Sequence, residues 1–436
     1  MSFGGGRNNN RGGGRGWGKG NGRGGRGGRG RGRNNNNRGY NTGNNNNNSQ
    51  QGKLNPCRNF TRPNSSCNNS KCTFSHSFKC HAIIDAVKSR NTGGYQDQKK
   101  DQTTNACALW ESPNGIKIFT GGKDGFWRLW NTANNFSLEF EQEMGNNVTK
   151  LEVFAGFLFC AFEAVGKALP EVPVGMVHVW NLSNPADAPL EFQMDPQFAP
   201  YAHGSTVSSM LVTSAVEGSN DPSKMVIATG DKSGVIRLWN PPSSQDQKVF
   251  SLQQTFYGHA GEVTGLVICN NFLWSSGIDG SIRMWDPLSG QCKYLLSSTS
   301  PDMHTDAVTD LILWKDQGST YVLSSSLDGT VKAWSSDGKL MISEKNYEGV
   351  ICISTNSDPA GKQVLVCGLI SGNISIRSLT QSHDMPAFTL IATLAERYSV
   401  GHTKCVRCLR SGPSYTFYSG GDDGKALVFQ IVGALS

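Results

Sequence analysis

The chain has 436 residues, 41 Lys and Arg against 34 Asp and Glu, a net charge of +7, 37% hydrophobic residues and 52 glycines. It contains no run of ~20 apolar residues, which excludes a transmembrane helix and predicts no membrane contact, and no apolar segment follows Met1, so secretion is not expected. Its 12 cysteines are therefore read as reduced thiols of a cytosolic or nuclear protein, not as a disulfide framework.

Residues 1–53 carry eleven basic side chains and no acid, so the other residues, with 30 basic and 34 acidic groups, sum to −4. All the excess positive charge lies in this tail. Arg-Gly-Gly steps recur at Arg11, Arg23 and Arg26, with Trp17 and Tyr40 interspersed and Asn runs at 34–37 and 44–48. Glycine maximises backbone freedom and almost nothing apolar is available to bury, so the tail is expected to be disordered. It resembles the RGG boxes of RNA-binding proteins. Arginines there would stack on bases and bind phosphates with release of counterions, which predicts affinity falling steeply with salt.

Residues 54–81 hold Cys57, Cys67, Cys72 and His76 in the order C-x9-C-x4-C-x3-H. Three thiolates and an imidazole match Zn²⁺, and four protein ligands leave no position for a catalytic water, so the expected site is structural. With no core of its own, the segment should be disordered without metal. Cys80 and His81 follow directly as possible substitute ligands, although C-x3-H already completes the set. Phe60 and Phe74 lie between the ligands, and Arg58, Arg62, Lys71 and Lys79 surround them. Aromatic faces beside cations suit single-stranded bases and phosphates. Cys57-Arg-Asn-Phe60 and Cys72-Thr-Phe-Ser-His76 resemble a CCCH-type zinc finger of the RNA-binding kind, with the second Cys displaced by one residue from the family's usual C-x8-C-x5-C-x3-H. The resemblance implies Phe60 and Phe74 as base-stacking positions and a short unpaired RNA as the ligand.

Residues 82–104 are read as a linker or a closing strand, the outer strand of the closing blade being expected either from them or from the C-terminus, and residues 105–436 as an internal repeat. Seven stretches share a turn glycine followed by an alternating strand that usually ends in an aromatic. They run from Gly125 to Trp130, Gly175 to Trp180, Gly234 to Trp239, Gly280 to Trp285, Gly329 to Trp334, Gly372 to Arg377 and Gly424 to Phe429. The second repeat carries the additional segment Ala164–Pro173, and the sixth has Arg377 where Trp is expected. These stretches resemble WD40 repeats. Three also carry a His, a Ser and an Asp in register: His259, Ser275 and Asp279; His304, Ser324 and Asp328; His402, Ser419 and Asp423. In WD40 blades these positions with the terminal aromatic form a buried hydrogen-bonded tetrad, so they are read as structural, not as catalytic triads. The first repeat, around Asp124, lacks an upstream Gly-His. Cys405 and Cys408 have CxxC spacing but fall in the strand after His402 and are read as core.

The fold expected is all-β, a seven-bladed propeller whose first and last strands meet in one blade, preceded by a small CCCH finger and the Arg/Gly/Asn-rich tail. The combination resembles the plant-type CCCH-finger/WD40 proteins. It implies an RNA-binding adaptor in mRNA processing or turnover, with Zn²⁺ as cofactor, single-stranded RNA held by finger and tail, and protein partners recruited by the propeller. A nuclear location is expected, with cytoplasm and RNA granules as the alternative. A propeller scaffold for a ubiquitin ligase or chromatin complex, with a purely structural finger, is the competing reading. No phosphate loop, open metal site or isolated acid/base pair points to an enzyme or to a small-molecule substrate.

Overall fold

A computed structural model describes residues 55–72, 75–87, 102–165, 172–185, 187–195, 197, 199–244, 246–297, 300–379, 388–398 and 400–435. The tail at 1–53 and Phe74 lie outside the described residues.

A four-residue helix α1 (Arg58–Thr61) precedes strand β1 (Phe78–Asp85). Blade 1 is β2 (Thr104–Ser112), β3 (Gly115–Gly122), β4 (Phe126–Asn131) and β5 (Ser137–Glu143). Blade 2 is β6 (Val148–Phe154), β7 (Phe157–Val165), β8 (Pro173–Asn181) and β9 (Leu190–Gln193). Blade 3 is β10 (Val207–Ser214), β11 (Met225–Asp231), β12 (Ile236–Asn240) and β13 (Val249–Phe256). Blade 4 is β14 (Val263–Cys269), β15 (Phe272–Gly277), β16 (Ile282–Trp285) and β17 (Cys292–Leu296). Blade 5 is β18 (Val308–Asp316), β19 (Ser319–Ser326), β20 (Thr330–Ser335) and β21 (Leu340–Lys345). Blade 6 is β22 (Val350–Ser357), β23 (Gln363–Leu369), β24 (Ile374–Ser378) and β25 (Leu390–Leu394). Blade 7 supplies β26 (Val406–Ser411), β27 (Thr416–Gly421) and β28 (Lys425–Ile431), and its fourth strand is β1, antiparallel to β28.

Each blade is an antiparallel meander, and the innermost strands β2, β6, β10, β14, β18, β22 and β26 touch in sequence, with β26 returning to β2. The ring of seven blades is therefore closed. Blades 2 and 3 are further joined at their outer edges, where β9 pairs parallel with β13 through Phe192 and Phe250. The closing strand begins at Phe78, within the stretch expected to belong to the finger, because Phe78 and Cys80 alternate inward with Ile84 on the face packed against β28.

The turn glycines Gly125, Gly234, Gly280, Gly329, Gly372 and Gly424 all take positive φ between the second and third strands of their blades. Gly175 differs. It sits inside β8 opposite Glu163, with room for no side chain, since a Cβ would lie 2.5 Å from Ser205 O. β7 and β8 continue pairing into the additional segment as far as Val165 opposite Pro173.

The tetrads form as chains of hydrogen bonds. Trp285 Nε1 donates to Ser275 Oγ at 2.8 Å, Ser275 Oγ meets His259 Nε2 at 2.7 Å, and His259 Nδ1 meets Asp279 at 3.1 Å. Blade 5 repeats this with Trp334, Ser324, His304 and Asp328, and blade 7 with Ser419, His402 and Asp423. Burial raises the carboxyl of Asp279, but the His259 ring, the Ala260 N–H and Ser281 outweigh it and hold the group well below the usual range. A fourth tetrad stands in blade 3, where His203 Nε2 meets Thr229 Oγ1 at 2.7 Å, Trp239 Nε1 donates to the same oxygen at 2.8 Å, and His203 Nδ1 meets Asp231 at 2.8 Å. In blade 1, Trp130 Nε1 still donates to Thr120 at 2.8 Å, but Asp124 pairs with Arg128 at 2.6 Å in place of a histidine. In blade 6, buried Arg377 donates to Asn346 Oδ1 at 3.0 Å and to Phe388 O at 2.8 Å, a polar network where the tryptophan would have packed.

Candidate metal centre and interaction surfaces

The finger is assembled by a few backbone bonds. Cys57 N–H donates to Ser75 O at 2.8 Å and Ser75 N–H to Asn55 O at 2.9 Å, which brings the first ligand beside the last. Cys57 O accepts from Phe60 N–H and Thr61 N–H, starting α1. A turn in which Cys72 N–H donates to Asn69 O at 3.1 Å places the third thiol.

The ligand atoms of Cys57, Cys67, Cys72 and His76 all lie within 4.8 Å of one another, with the Cys57 and Cys72 sulfurs 3.6 Å apart. Tetrahedral Zn²⁺ with Zn–S near 2.3 Å requires sulfurs about 3.8 Å apart. His76 Nε2 is buried and has no hydrogen-bond partner. An orphaned imidazole nitrogen facing three thiols is what a bound soft cation would satisfy, so these residues fit zinc. Burial, then the Cys72 thiol, pushes the Cys57 thiol up, whereas the Asn69 N–H draws that of Cys67 down. Neither alternative ligand joins the set: Cys80 is buried in β1 with its thiol pushed up to about 12 by burial, and His81 Nε2 lies 2.9 Å from Gln430 Oε1 on the exposed side of the strand.

The other expected site residues are used unequally. The Phe60 ring is half-buried and stacked on His76, centroids 4.8 Å apart at 24°. Lys79 projects from β1 into the finger, its Nζ donating to Phe60 O at 2.8 Å and to Ser65 O, and lying 5.3 Å from the Phe60 centroid. Its charge thus ties finger to propeller. Arg58 and Lys71 are exposed, and Arg62 is half-buried. Val432 N–H donates to Ser77 O at 2.8 Å, a second tie between finger and blade 7. Since β1 is the outermost strand of that blade, the finger is anchored at the rim.

At the centre, a cavity of about 490 Å³ is lined from several blades by Cys107, Lys150, Asp310, Cys352, Cys408 and Arg410. Arg410 pairs with Glu152 and donates to Cys107 O at 3.2 Å, and Asp310 accepts the Ile353 N–H at 3.0 Å.

The family model for the WD domain, G-beta repeat, matches residues 99–131, 250–286, 297–335 and 390–430. Over these residues the chain carries WD40 repeats. A rice (Oryza sativa subsp. japonica) protein, zinc finger CCCH domain-containing protein 17, is 27% identical over 378 residues, covering 86% of this chain and 73% of the relative. Zinc finger CCCH domain-containing protein 62 of Arabidopsis thaliana is 26% identical over 366 residues, 83% of this chain and 73% of the relative. The F-box/WD repeat-containing protein sel-10 of Caenorhabditis elegans is 31% identical over 111 residues, 26% of this chain and 17% of the relative. The Cys₃His cluster is consistent with the similarity to proteins named for CCCH zinc fingers, and the WD40 repeats support a protein-interaction scaffold.

Proposed function

We propose that the protein is an RNA-binding adaptor in mRNA processing or turnover, working in the nucleus, with the propeller recruiting proteins while the zinc-held finger and the tail hold single-stranded RNA. The observation that carries this reading is the placement of the finger on the outermost strand of blade 7, remote from the central cavity, so one chain offers two separate binding surfaces. Arg58 and Lys71 are the exposed cations of the finger best placed for phosphates, and Phe60 and Phe74 remain the stacking positions. Lys79 contributes by fixing the finger rather than by meeting RNA. The Arg/Gly tail adds a salt-sensitive attraction, and tethering the two raises the effective concentration of each for the same strand.

The test is RNA crosslinking of the intact protein beside a variant lacking residues 1–53 and a Cys72→Ser/His76→Ala variant, over a salt series. The ligand variant is expected to lose crosslinks at moderate salt, and the tail deletion to flatten the salt dependence. An intact protein that does not crosslink overturns the RNA reading and leaves a protein scaffold with a structural finger.

A further inference from the structure

The CxxC spacing of Cys405 and Cys408 draws attention to the wrong neighbour. Cys408, on the innermost strand β26 of blade 7, places its Sγ 3.3 Å from that of Cys107 on the innermost strand β2 of blade 1, a residue 301 positions away in the chain. A disulfide bond is about 2.05 Å long, so the two sulfurs need approach by only about 1.3 Å. Both line the central cavity, whose volume of about 490 Å³ admits a molecule the size of two waters. Cys107 is buried at 2% exposure, whereas Cys408 is half-buried and the one open to a reactant.

We propose that Cys107 and Cys408 are a redox-active dithiol that hydrogen peroxide converts to a disulfide, joining blade 7 to blade 1 across the seam where the ring closes. The Cys408 thiolate attacks one peroxide oxygen, the O–O bond breaks, and the departing hydroxide takes up the thiol's proton as water, leaving a sulfenic acid. The Cys107 sulfur then attacks the Cys408 sulfur, the S–O bond breaks, and the leaving hydroxide combines with the Cys107 proton as a second water. Two thiols are oxidised to one disulfide and one peroxide is reduced to two waters.

The surroundings assign these roles. The Cys107 thiol beside it, and then the charges of Arg410 and Lys150, draw the Cys408 thiol down even against its burial. The same contact and burial push Cys107 well up. Exposure divides the roles: half-buried Cys408 is the sulfur a peroxide can reach and is the nucleophile, and buried Cys107 is the resolving thiol. Arg410 is held by Glu152 and by the Cys107 carbonyl, so its charge stays over the pair. Cys352, the third thiol on the cavity wall, is buried and points its sulfur at Val406 O at 3.8 Å, away from this role.

The experiment uses the full zinc-loaded protein, treated with one equivalent of hydrogen peroxide, alkylated, and digested without reduction for mass spectrometry. The expected product is a peptide pair linking Cys107 to Cys408, reversed by dithiothreitol. It should coincide with faster migration on a non-reducing gel, because the bond closes a 301-residue separation, and with a Tm higher by about 5 °C. Cys107→Ser should stop at a sulfenic acid on Cys408 that dimedone traps. The proposal is overturned if Cys107 and Cys408 remain fully alkylated while exposed Cys292 oxidises, or if Cys408 is found linked to Cys352 or Cys405.

Discussion

The finger and the propeller are held together by opposite means. Between Cys57 and His76 the described residues bury little beyond Cys57 and Thr61, and the side chains converge mainly on the four ligand atoms, with Phe60 stacked on His76. The propeller buries Trp239, Trp274, Trp285 and Trp334 almost completely, along with many Phe, Val, Ile and Leu side chains. Burying each large side chain contributes about 1.5–3 kcal/mol, so the propeller needs no metal and the finger has nothing to replace one. A segment of some twenty residues cannot make a core, and metal coordination by the Cys₃His set would be the substitute.

Removing zinc with a chelator is the strongest way to break the comparison. A structural zinc contributes about 10 kcal/mol or more to folding of such a segment. Amide exchange protection should vanish at 57–76 while β6 to β25 keep theirs and the propeller's unfolding transition stays in place. A propeller transition that fell with the metal would show that β1 depends on the finger for its position.

The next effect tests what substitutes for metal inside the blades. Ser324→Ala removes the oxygen shared by His304 Nε2 and Trp334 Nε1 and leaves both buried without a partner. At about 1–3 kcal/mol for each unsatisfied group, a loss of about 4 kcal/mol in denaturant-measured stability is expected. Thr120→Val in blade 1, where Trp130 alone uses the hydroxyl, should cost about half as much. Equal losses would mean that the histidine adds nothing to the tetrad.

A smaller effect is set by pH. Burial pushes the His203 imidazole down to about 4, against the pull of Asp231. An unfolded histidine titrates near 6.5, so below that pH the unfolded chain takes up a proton that the native blade refuses. Stability is then lost as pH falls from about 6.5 to about 4, by roughly 3 kcal/mol for this residue. His304, drawn down by burial, acts in the same direction. Urea midpoints between pH 7 and 4.5 should show the decline, and His203→Asn should flatten it.

The repeats, and the three Cys and one His that the structure brings together, were legible because each rests on a local pattern: a turn glycine with an alternating strand, or four candidate ligands within twenty residues. The fourth tetrad was not, for reasons visible in its residues. Thr229 stands where the other three tetrads have serine, and its acid is Asp231, three residues before the turn glycine rather than one, with Ser233 in the usual place donating to it at 2.6 Å. Gly175 looked like its counterparts at the turns, but a longer hairpin carries it into a strand. Lys79 looked like a surface cation, yet the strand that carries it runs back under the finger. The meeting of Cys107 with Cys408 depends on ring closure, a contact between residues too far apart for any spacing rule to reach.

The pairing of β1 with β28 also fixes an order of events during synthesis. The outer strand of the last blade leaves the ribosome before any other part of the propeller, and its partners follow more than 300 residues later. At roughly 5–20 residues per second, Phe78–Asp85 waits on the order of a minute or less as an unpaired edge. Such an edge invites pairing with other chains. The finger can bind its metal during that interval, so the waiting strand would be flanked by folded, charged protein rather than by loose chain. Blade 7 can be completed only when the final strands emerge, and until then none of the recruiting surface of a closed ring exists.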